Sequence, residues 1–302
     1  MPSHTNKKNL HEQSNMQHDS IGRLLIKCPD KPGIVAMLSK FLFDHGANII
    51  ESSQYSSDPE GGDFFIRLEF HCEDLHTQRE QMENDFDHLA HQFNMDFQFT
   101  YGNDRKRTAI FVSKETHCLM ELLWEWQSGD LKTDIAVVIS NHEHAREYVE
   151  ALGIPFHYIP ANKAIRQEVE EKQIALMKEY QVDVLILARY MQILTPEFVA
   201  QFPDQIINIH HSFLPAFIGA RPYERAHKRG VKLIGATSHY VTNDLDEGPI
   251  IEQDIERVDH RDHIIDLKKI GQQIERRVLV RAVKWHLEDR IIVQNNKTVV
   301  FH

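Results

Sequence analysis

Ile206-Ile-Asn-Ile-His-His-Ser-Phe-Leu-Pro215 opens as a strand and breaks into a polar turn closed by proline. Alternate residues of a strand share a face, so Asn208 and His210 project one way while Ile207 and Ile209 project into packing. An amide and an imidazole side by side at the end of a buried strand can grip and polarise a carbonyl oxygen. The runs Ile135-Ala-Val-Val-Ile139 and Val184-Leu-Ile-Leu187 are almost continuously apolar, as parallel strands covered on both faces are. The spacing predicts strands over 108–112, 134–140, around Phe156, and over 182–188, 205–210, 232–241 and 250–255. Helices are expected over 118–126, up to Gly153, and over 164–180, 196–201 and 262–287, with a closing hairpin of 290–293 and 298–301 around Asn295 and Asn296. Strands alternating with helices make a Rossmann-like, doubly wound α/β sheet whose sites lie at the carboxyl ends of the strands. His210 lies at such an end, and so does Arg189-Tyr-Met-Gln-Ile-Leu194.

The chain before this sheet has a different rhythm. Leu24, Ile26 and Cys28 alternate as a strand. Ile34, Val35, Leu38, Phe41 and Leu42 then fall at helical spacing up to Gly46. Residues 47–55 and the alternating set Phe64, Ile66, Leu68 and Phe70 read as two more strands around a turn at 58–62. Leu75, Met82, Phe86, Leu89 and Phe93 mark an amphipathic helix, and 96–101 a last strand. The order βαββαβ is ferredoxin-like. Residues 1–20 hold almost no apolar anchor and read as a mobile tail. The expected organisation is therefore a tail over 1–20, a small domain over 21–101, a charged linker over 102–107 and a catalytic domain over 108–302.

Composition narrows the function classes. At 302 residues, with 41% hydrophobic and 26% charged residues, the chain is that of a globular protein with two cores. A net charge of −11 argues against a sequence-independent nucleic-acid or acidic-membrane binder. Apolar runs stay far short of the ~20 residues of a membrane span, and the N-terminus lacks the apolar core of a signal peptide. Cys28, Cys72 and Cys118 have no metal spacing and suit a reducing, cytoplasmic compartment. The 20 histidines are scattered, without an HExxH, so no metal is assigned. Trp124, Trp126 and Trp285 sit in helical patterns and read as packing.

The chain has no Walker A loop, no GxGxxG and no GxSxG elbow. What remains is Asn208 and His210 on one strand face, with Asp244 and Asp246 on a later acidic loop. Amide, imidazole and carboxylate suit attack on a carbonyl without a covalent enzyme intermediate. A core histidine beside a capping aspartate would show the same residues, so the pattern leaves both readings open. His211 and His239 each suit either proton transfer or a hydrogen-bonded wall, the wall being preferred for His239. Ser212 reads as a turn hydroxyl.

Two resemblances add to this. Cys28-Pro-Asp-Lys-Pro-Gly-Ile-Val35 and Gly46-Ala-Asn-Ile49 resemble the ACT domain, a small regulatory module that often binds amino acids. The resemblance implies a ligand site at Asp30, Gly33, Ile34 and Asn48, or a purely assembling role, and leaves both open. Ile207-Asn-Ile-His-His-Ser-Phe-Leu-Pro215 followed by Gly235-Ala-Thr-Ser-His-Tyr-Val-Thr-Asn-Asp-Leu-Asp-Glu-Gly-Pro-Ile250 resembles the formyltransferase fold of enzymes that use 10-formyltetrahydrofolate. It implies Asn208, His210 and Asp246 as the catalytic trio. The segment Tyr190-Met-Gln-Ile-Leu-Thr-Pro196 resembles that family's folate loop, implying folate contacts from Tyr190, Met191, Gln192, Ile193 and Leu194, with His211 and Gly219 beside them.

Within that family the glycinamide ribonucleotide transformylases carry a Gly-rich, phosphate-binding loop after the first strand. Here Val112-Ser-Lys-Glu-Thr-His-Cys118 has no glycine, although Lys114 partly compensates for the missing amides. The ACT module, His210-His-Ser-Phe-Leu-Pro-Ala-Phe-Ile-Gly-Ala220 and Leu245-Asp-Glu-Gly-Pro-Ile-Ile251 together resemble the formyltetrahydrofolate deformylase family. That resemblance implies hydrolysis of 10-formyltetrahydrofolate to formate and tetrahydrofolate, supplying formate and balancing one-carbon and purine metabolism. Protonated His210 and Asn208 would hold the formyl oxygen, and Asp246 would take a proton from water. It implies a folate substrate with no permanently bound cofactor, and ACT units that pair imply a homo-oligomer; if the ACT unit takes an effector, glycine and methionine, which both join one-carbon metabolism, are the candidates. The alternatives are a 10-formyltetrahydrofolate-dependent formyltransferase acting on an amine and a non-catalytic, amino-acid-responsive scaffold.

Overall fold

The structure, a computed structural model, describes residues 20–58, 60–161, 165–216 and 221–302. Apart from Ser20, the tail expected over 1–20 lies outside the described residues, as does Gly219. The chain divides into two compact units, Met1–Arg105 with Val299–His302, and Lys106–Thr298.

In the first unit β1 (Ile21–Pro29), α1 (Ile34–Asp44), β2 (Asn48–Ser56), β3 (Asp63–His71), α2 (Leu75–Phe93) and β4 (Asp96–Tyr101) follow the expected order. The strands form one antiparallel sheet in the order β2-β3-β1-β4. Alternation decides which side chains meet the helices: Leu24, Ile26, Ile66, Leu68 and Phe70 share a core with Leu38 and Leu42 of α1 and Met82 and Phe86 of α2. Phe86 packs edge-on against Phe41, Phe97 and Phe99, which knits both helices to the sheet.

The second unit is built on β5 (Arg107–Val112), α3 (His117–Ser128), β6 (Asp134–Ser140), α4 (Arg146–Glu150), β7 (Phe156–Tyr158), α5 (Arg166–Glu179), β8 (Val184–Ala188), α6 (Pro196–Val199) and β9 (Ile206–His210). It continues with α7 (Pro222–Arg229), β10 (Leu233–Tyr240), β11 (Ile250–Arg257) and α8 (Ile264–Leu287). A hairpin, β12 (Ile291–Gln294) with β13 (Lys297–Val300), closes the chain.

The sheet order is β11-β10-β9-β8-β5-β6-β7, parallel except for β10, which pairs antiparallel with both β9 and β11. The chain winds outward from β5 to β7, returns to lay β8 on the other side of β5, and winds on to β9. The topological switch therefore falls between β5 and β8, where a doubly wound sheet opens a crevice at its carboxyl edge. Ile110, Ile186, Ile207 and Ile209 meet Ile274, Val278 and Leu279 of α8 on one face. Ala109, Leu185 and Ile206 meet Met177 of α5 and Phe198 of α6 on the other.

Two local readings are corrected. Residues 222–229, to which the sequence pattern assigns no element, form α7. Trp126 and Trp285 pack on the core as expected, but Trp124 is 68% exposed.

Candidate active site

In β9, Ile207 and Ile209 are buried in the core, and alternation turns Asn208 and His210 to the opposite face. Antiparallel pairing sets His239 of β10 opposite Asn208 and Thr237 opposite His210. The Thr237 hydroxyl donates to Ser212 O (2.9 Å) and accepts from Leu214 N (3.0 Å), which fixes the turn after His210; the Leu214–Pro215 peptide is cis.

Asp246 arrives from the loop joining β10 to β11. Tyr240 N donates to Pro249 O (2.9 Å), and a Cβ on Gly248 would collide with the Tyr240 carbonyl, so only glycine lets the loop fold this tightly on the strand. Asp246 itself takes a left-handed backbone, φ 59°. Its Oδ1 lies 3.2 Å from His210 Nδ1 and 3.8 Å from His239 Nε2. Asp244, from the same acidic loop, remains exposed.

The hydrogen bonds assign most of the proton positions. His239 Nδ1 faces the Tyr240 carbonyl (2.9 Å), which can only accept, so Nδ1 carries the proton. Burial lowers the His239 pKa, so the ring is neutral and its Nε2 accepts from Asn208 Nδ2 (3.2 Å). That contact settles which way the Asn208 amide points. His210 is buried, with Nδ1 on Asp246 and Nε2 without a hydrogen-bond partner. Burial alone would raise the Asp246 pKa, but the hydrogen bond and charge of His210 outweigh it and the carboxyl sits below its ordinary value. His211, 5.1 Å from His210 between ring centroids, is pushed down to about 4 by burial, Arg189 and His210. Its ring is therefore neutral at neutral pH.

The loop after β8 lies at the same sheet edge. Tyr190 is buried, whereas Met191 (59%) and Ile193 (53%) expose apolar side chains, Gln192 is exposed and Leu194 half-buried. Its shape depends on residues that carry no motif. Glu170 of α5 accepts from Thr195 N (2.9 Å) and from the Thr195 hydroxyl. Gln173 donates to the Tyr190 hydroxyl (2.6 Å), and the Ser113 hydroxyl lies between the Tyr190 carbonyl and Asn141 Oδ1. The available signal was polar residues on the buried stripe of α5, where Val169, Glu170, Gln173 and Met177 all lie inside.

In the loop after β5, Lys114 is exposed and Glu115 is held by Lys268 (2.7 Å) and Gln272 (3.0 Å). Among the described residues His117, Cys118 and Glu275 form the one group with metal-type ligands close together. It does not suit a cation. Glu275 already accepts from His117 Nε2 and Tyr223 Oη (2.7 Å each), and the Arg189 guanidinium lies 3.4 Å away. Burial opposes the Glu275 charge, yet His117, Arg189 and Tyr223 hold its pKa below the ordinary carboxylate value.

In the first unit the residues matching an ACT ligand loop have other occupations. Asp30 Oδ2 accepts from the Ser56 hydroxyl (2.5 Å), Ile34 is buried in the core at 2% exposure, Gly33 caps α1 at φ 95°, and Asn48 is exposed at the start of β2.

Fold and site together define a two-domain protein in which an ACT domain, matched over residues 22–86, precedes a formyl transferase domain, matched over residues 106–283. The chain is 67% identical to the formyltetrahydrofolate deformylase of Bacillus subtilis (strain 168) over 281 residues, 93% of this chain and 94% of that protein. The crystal structure of a formyltetrahydrofolate deformylase from Pseudomonas syringae pv. tomato is matched at a TM-score of 0.89 and 45% identity, covering 99% of this chain and 100% of that one. A glycinamide ribonucleotide transformylase 1 structure from Symbiobacterium toebii is matched at 0.62 and 28% identity, covering 68% of this chain and 97% of that one. The chain belongs to the formyltetrahydrofolate deformylase family.

Proposed function

We propose that this protein hydrolyses 10-formyltetrahydrofolate to formate and tetrahydrofolate, feeding formate to one-carbon metabolism. One observation carries the reading: His210 is buried with Asp246 against Nδ1 and nothing against Nε2. A buried nitrogen without a partner is costly unless a ligand supplies one.

Nε2–H of His210 and the Asn208 Nδ2–H not engaged by His239 bind the formyl oxygen and stabilise the charge that develops there. Asp246, ionised by its histidine neighbours, takes a proton from the attacking water and supports the His210 imidazolium through Nδ1. The bond from the formyl carbon to N10 breaks as N10 takes the proton that Asp246 accepted from water, releasing tetrahydrofolate and formic acid, which ionises to formate. Exposed Met191 and Ile193 supply apolar surface for the folate, beside Tyr190, Gln192 and Leu194. No resident cofactor takes part. Transfer to an amine is not favoured by relatives that bear the deformylase name.

The ACT domain points to a small-molecule effector. Glycine and methionine, both linked to one-carbon metabolism, are the effectors proposed, acting on a homo-oligomer. Among the described residues no helix is long and apolar enough to cross a membrane, and Cys28, Cys72 and Cys118 are buried thiols, which supports a cytoplasmic enzyme.

Purified protein given 10-formyltetrahydrofolate and no acceptor should release one formate per tetrahydrofolate formed, and Asp246→Asn should abolish that release. Intact substrate after prolonged incubation would reject hydrolysis. Undiminished release by Asp246→Asn would reject the role given to Asp246.

A further inference from the structure

The crevice between the carboxyl ends of β5 and β8 is where the topology would seat a second reactant. Four side chains from four elements converge there: His117 at the start of α3, Arg189 just after β8, Tyr223 in α7 and Glu275 in α8. They are held by the contacts to Glu275 given above. Glu275 is 1% exposed, and the side chains of Arg189 and His117 are 11% and 13% exposed.

Two backbone features accommodate the group at a local cost. Arg189 has a left-handed backbone at φ 63°, which costs a non-glycine residue about 1 kcal/mol or more. Gly271 stands inside α8, where glycine is less stable than alanine by ~1 kcal/mol, and a Cβ there would overlap the Tyr223 hydroxyl. Arg189 Nε and Nη1 and His117 Nδ1 are buried without hydrogen-bond partners. Buried polar atoms of this kind are satisfied by water. The group continues to the trio through His211, whose ring lies 6.4 Å from that of Tyr223 and 5.1 Å from that of His210.

We propose that His117, Arg189, Tyr223 and Glu275 plug the switch-point crevice, so that water and no amine reaches a formyl carbon held by Asn208 and His210. The plug is the specificity determinant for the acceptor, and the inference rests on the hydrolytic reading above. Transfer of the formyl group to an amine on this fold would need that crevice open. Once it is opened, an amine nitrogen attacks the formyl carbon, the bond to N10 breaks, and the amine proton passes to N10, giving a formamide and tetrahydrofolate.

The test is the division of product between formate and N-formylglycinamide when 10-formyltetrahydrofolate is supplied with increasing glycinamide. This ratio does not depend on how much protein is folded. Arg189→Gly, which suits the left-handed backbone, and Arg189→Gly with His117→Ala are each compared with the parent protein. Parent protein should give formate with no more than a trace of N-formylglycinamide, and the variants should divert a share that grows with amine concentration to roughly tenfold or more above that trace. The proposal is overturned if the parent diverts as much as the variants. It is overturned equally if Arg189→Gly, still turning over, yields only formate at the highest amine concentration. A parent protein that releases no formate without amine would instead reject the hydrolytic reading, which keeps the two failures apart.

Discussion

After β1 the chain turns through Asp30 and Gly33, and after β9 it turns through His210 and His211. Both turns are polar, and both match the ligand-bearing stretch of a known family. In the first, the Asp30 carboxylate is bonded to Ser56, Asp30 N donates to Gly62 O (2.8 Å), and Ile34 is part of the core. In the second, His210 is as buried as a core residue and keeps one nitrogen without a partner. A polar turn that satisfies itself holds a fold together; a buried polar atom left unsatisfied takes its partner from a ligand or from water, and at His210 it lies beside Asn208 and Asp246.

The sharpest way to break this comparison is to remove the unsatisfied group. His210→Ala deletes a donor to the developing oxyanion and should lower kcat for formate release by ~10²–10³ or more. Asn208→Ala should fall in the same range. His239→Phe, which frees the Asn208 amide to rotate and removes the imidazole 3.8 Å from Asp246, should cost less and be partly separable as a rise in KM. Equal losses in all three would mean that His239 touches the reacting atoms.

How much of this was legible in the sequence depended on range. The strands of both units follow from a period of two or from unbroken apolar runs, and Asn208 and His210 follow from their i,i+2 spacing. Asp246 needed the family resemblance, because nothing local says that a loop will fold back onto β9. The helix α7 escaped because only Pro222 and Ala226 are buried, leaving no apolar stripe; Pro222 at its start and Gly230 after it were the remaining signals. The Glu275 cluster could not be read at all. His117 and Glu275 are 158 residues apart, and neither carries a motif.

Two other histidines, both half-buried, sharpen the comparison next. The His286 Nδ1 and the Tyr240 hydroxyl share a hydrogen bond (2.7 Å), so unlike His210 Nε2 this nitrogen has its partner within the fold. Burial pushes His286 down to about 3, and His211 down to about 4. Both pKa values are depressed from the ordinary ~6.5. The unfolded chain therefore takes up protons below pH ~6.5 that the folded chain refuses. Stability should be complete above that pH and fall by about 1.4 kcal/mol per pH unit for each histidine as the pH drops toward 4. Urea titrations at pH 7, 6 and 5 measure the slope. A flat profile would show that these rings charge freely in the fold.

Glu170 tests the same distinction at the folate loop. It is satisfied by Thr195 and touches no reacting group, so it acts only by holding residues 190–195 in place. Glu170→Gln keeps the shape and replaces two charge-assisted bonds by weaker ones, a loss of roughly 1–2 kcal/mol. KM for 10-formyltetrahydrofolate should rise about 5- to 30-fold with kcat little changed. A fall in kcat at unchanged KM would move the loop from substrate binding into the chemistry.

The smallest effect is expected in the first turn. An added Cβ at Gly33 meets nothing within 4 Å, so Gly33→Ala meets no steric barrier and is penalised only through its backbone at φ 95°. That strain should lower the stability of the protein by about 1 kcal/mol, seen as a shift in the urea midpoint at unchanged slope. The informative measurement is the thermal shift with glycine or methionine before and after the substitution. If the turn serves only to close α1 onto β1, any effector response should survive Gly33→Ala, because the bonds of Asp30 N to Gly62 O and of Met37 N to Gly33 O hold the turn in place. Loss of the response with the stability cost held near 1 kcal/mol would place a ligand on this turn. The first turn would then resemble the second more closely than its satisfied hydrogen bonds suggest.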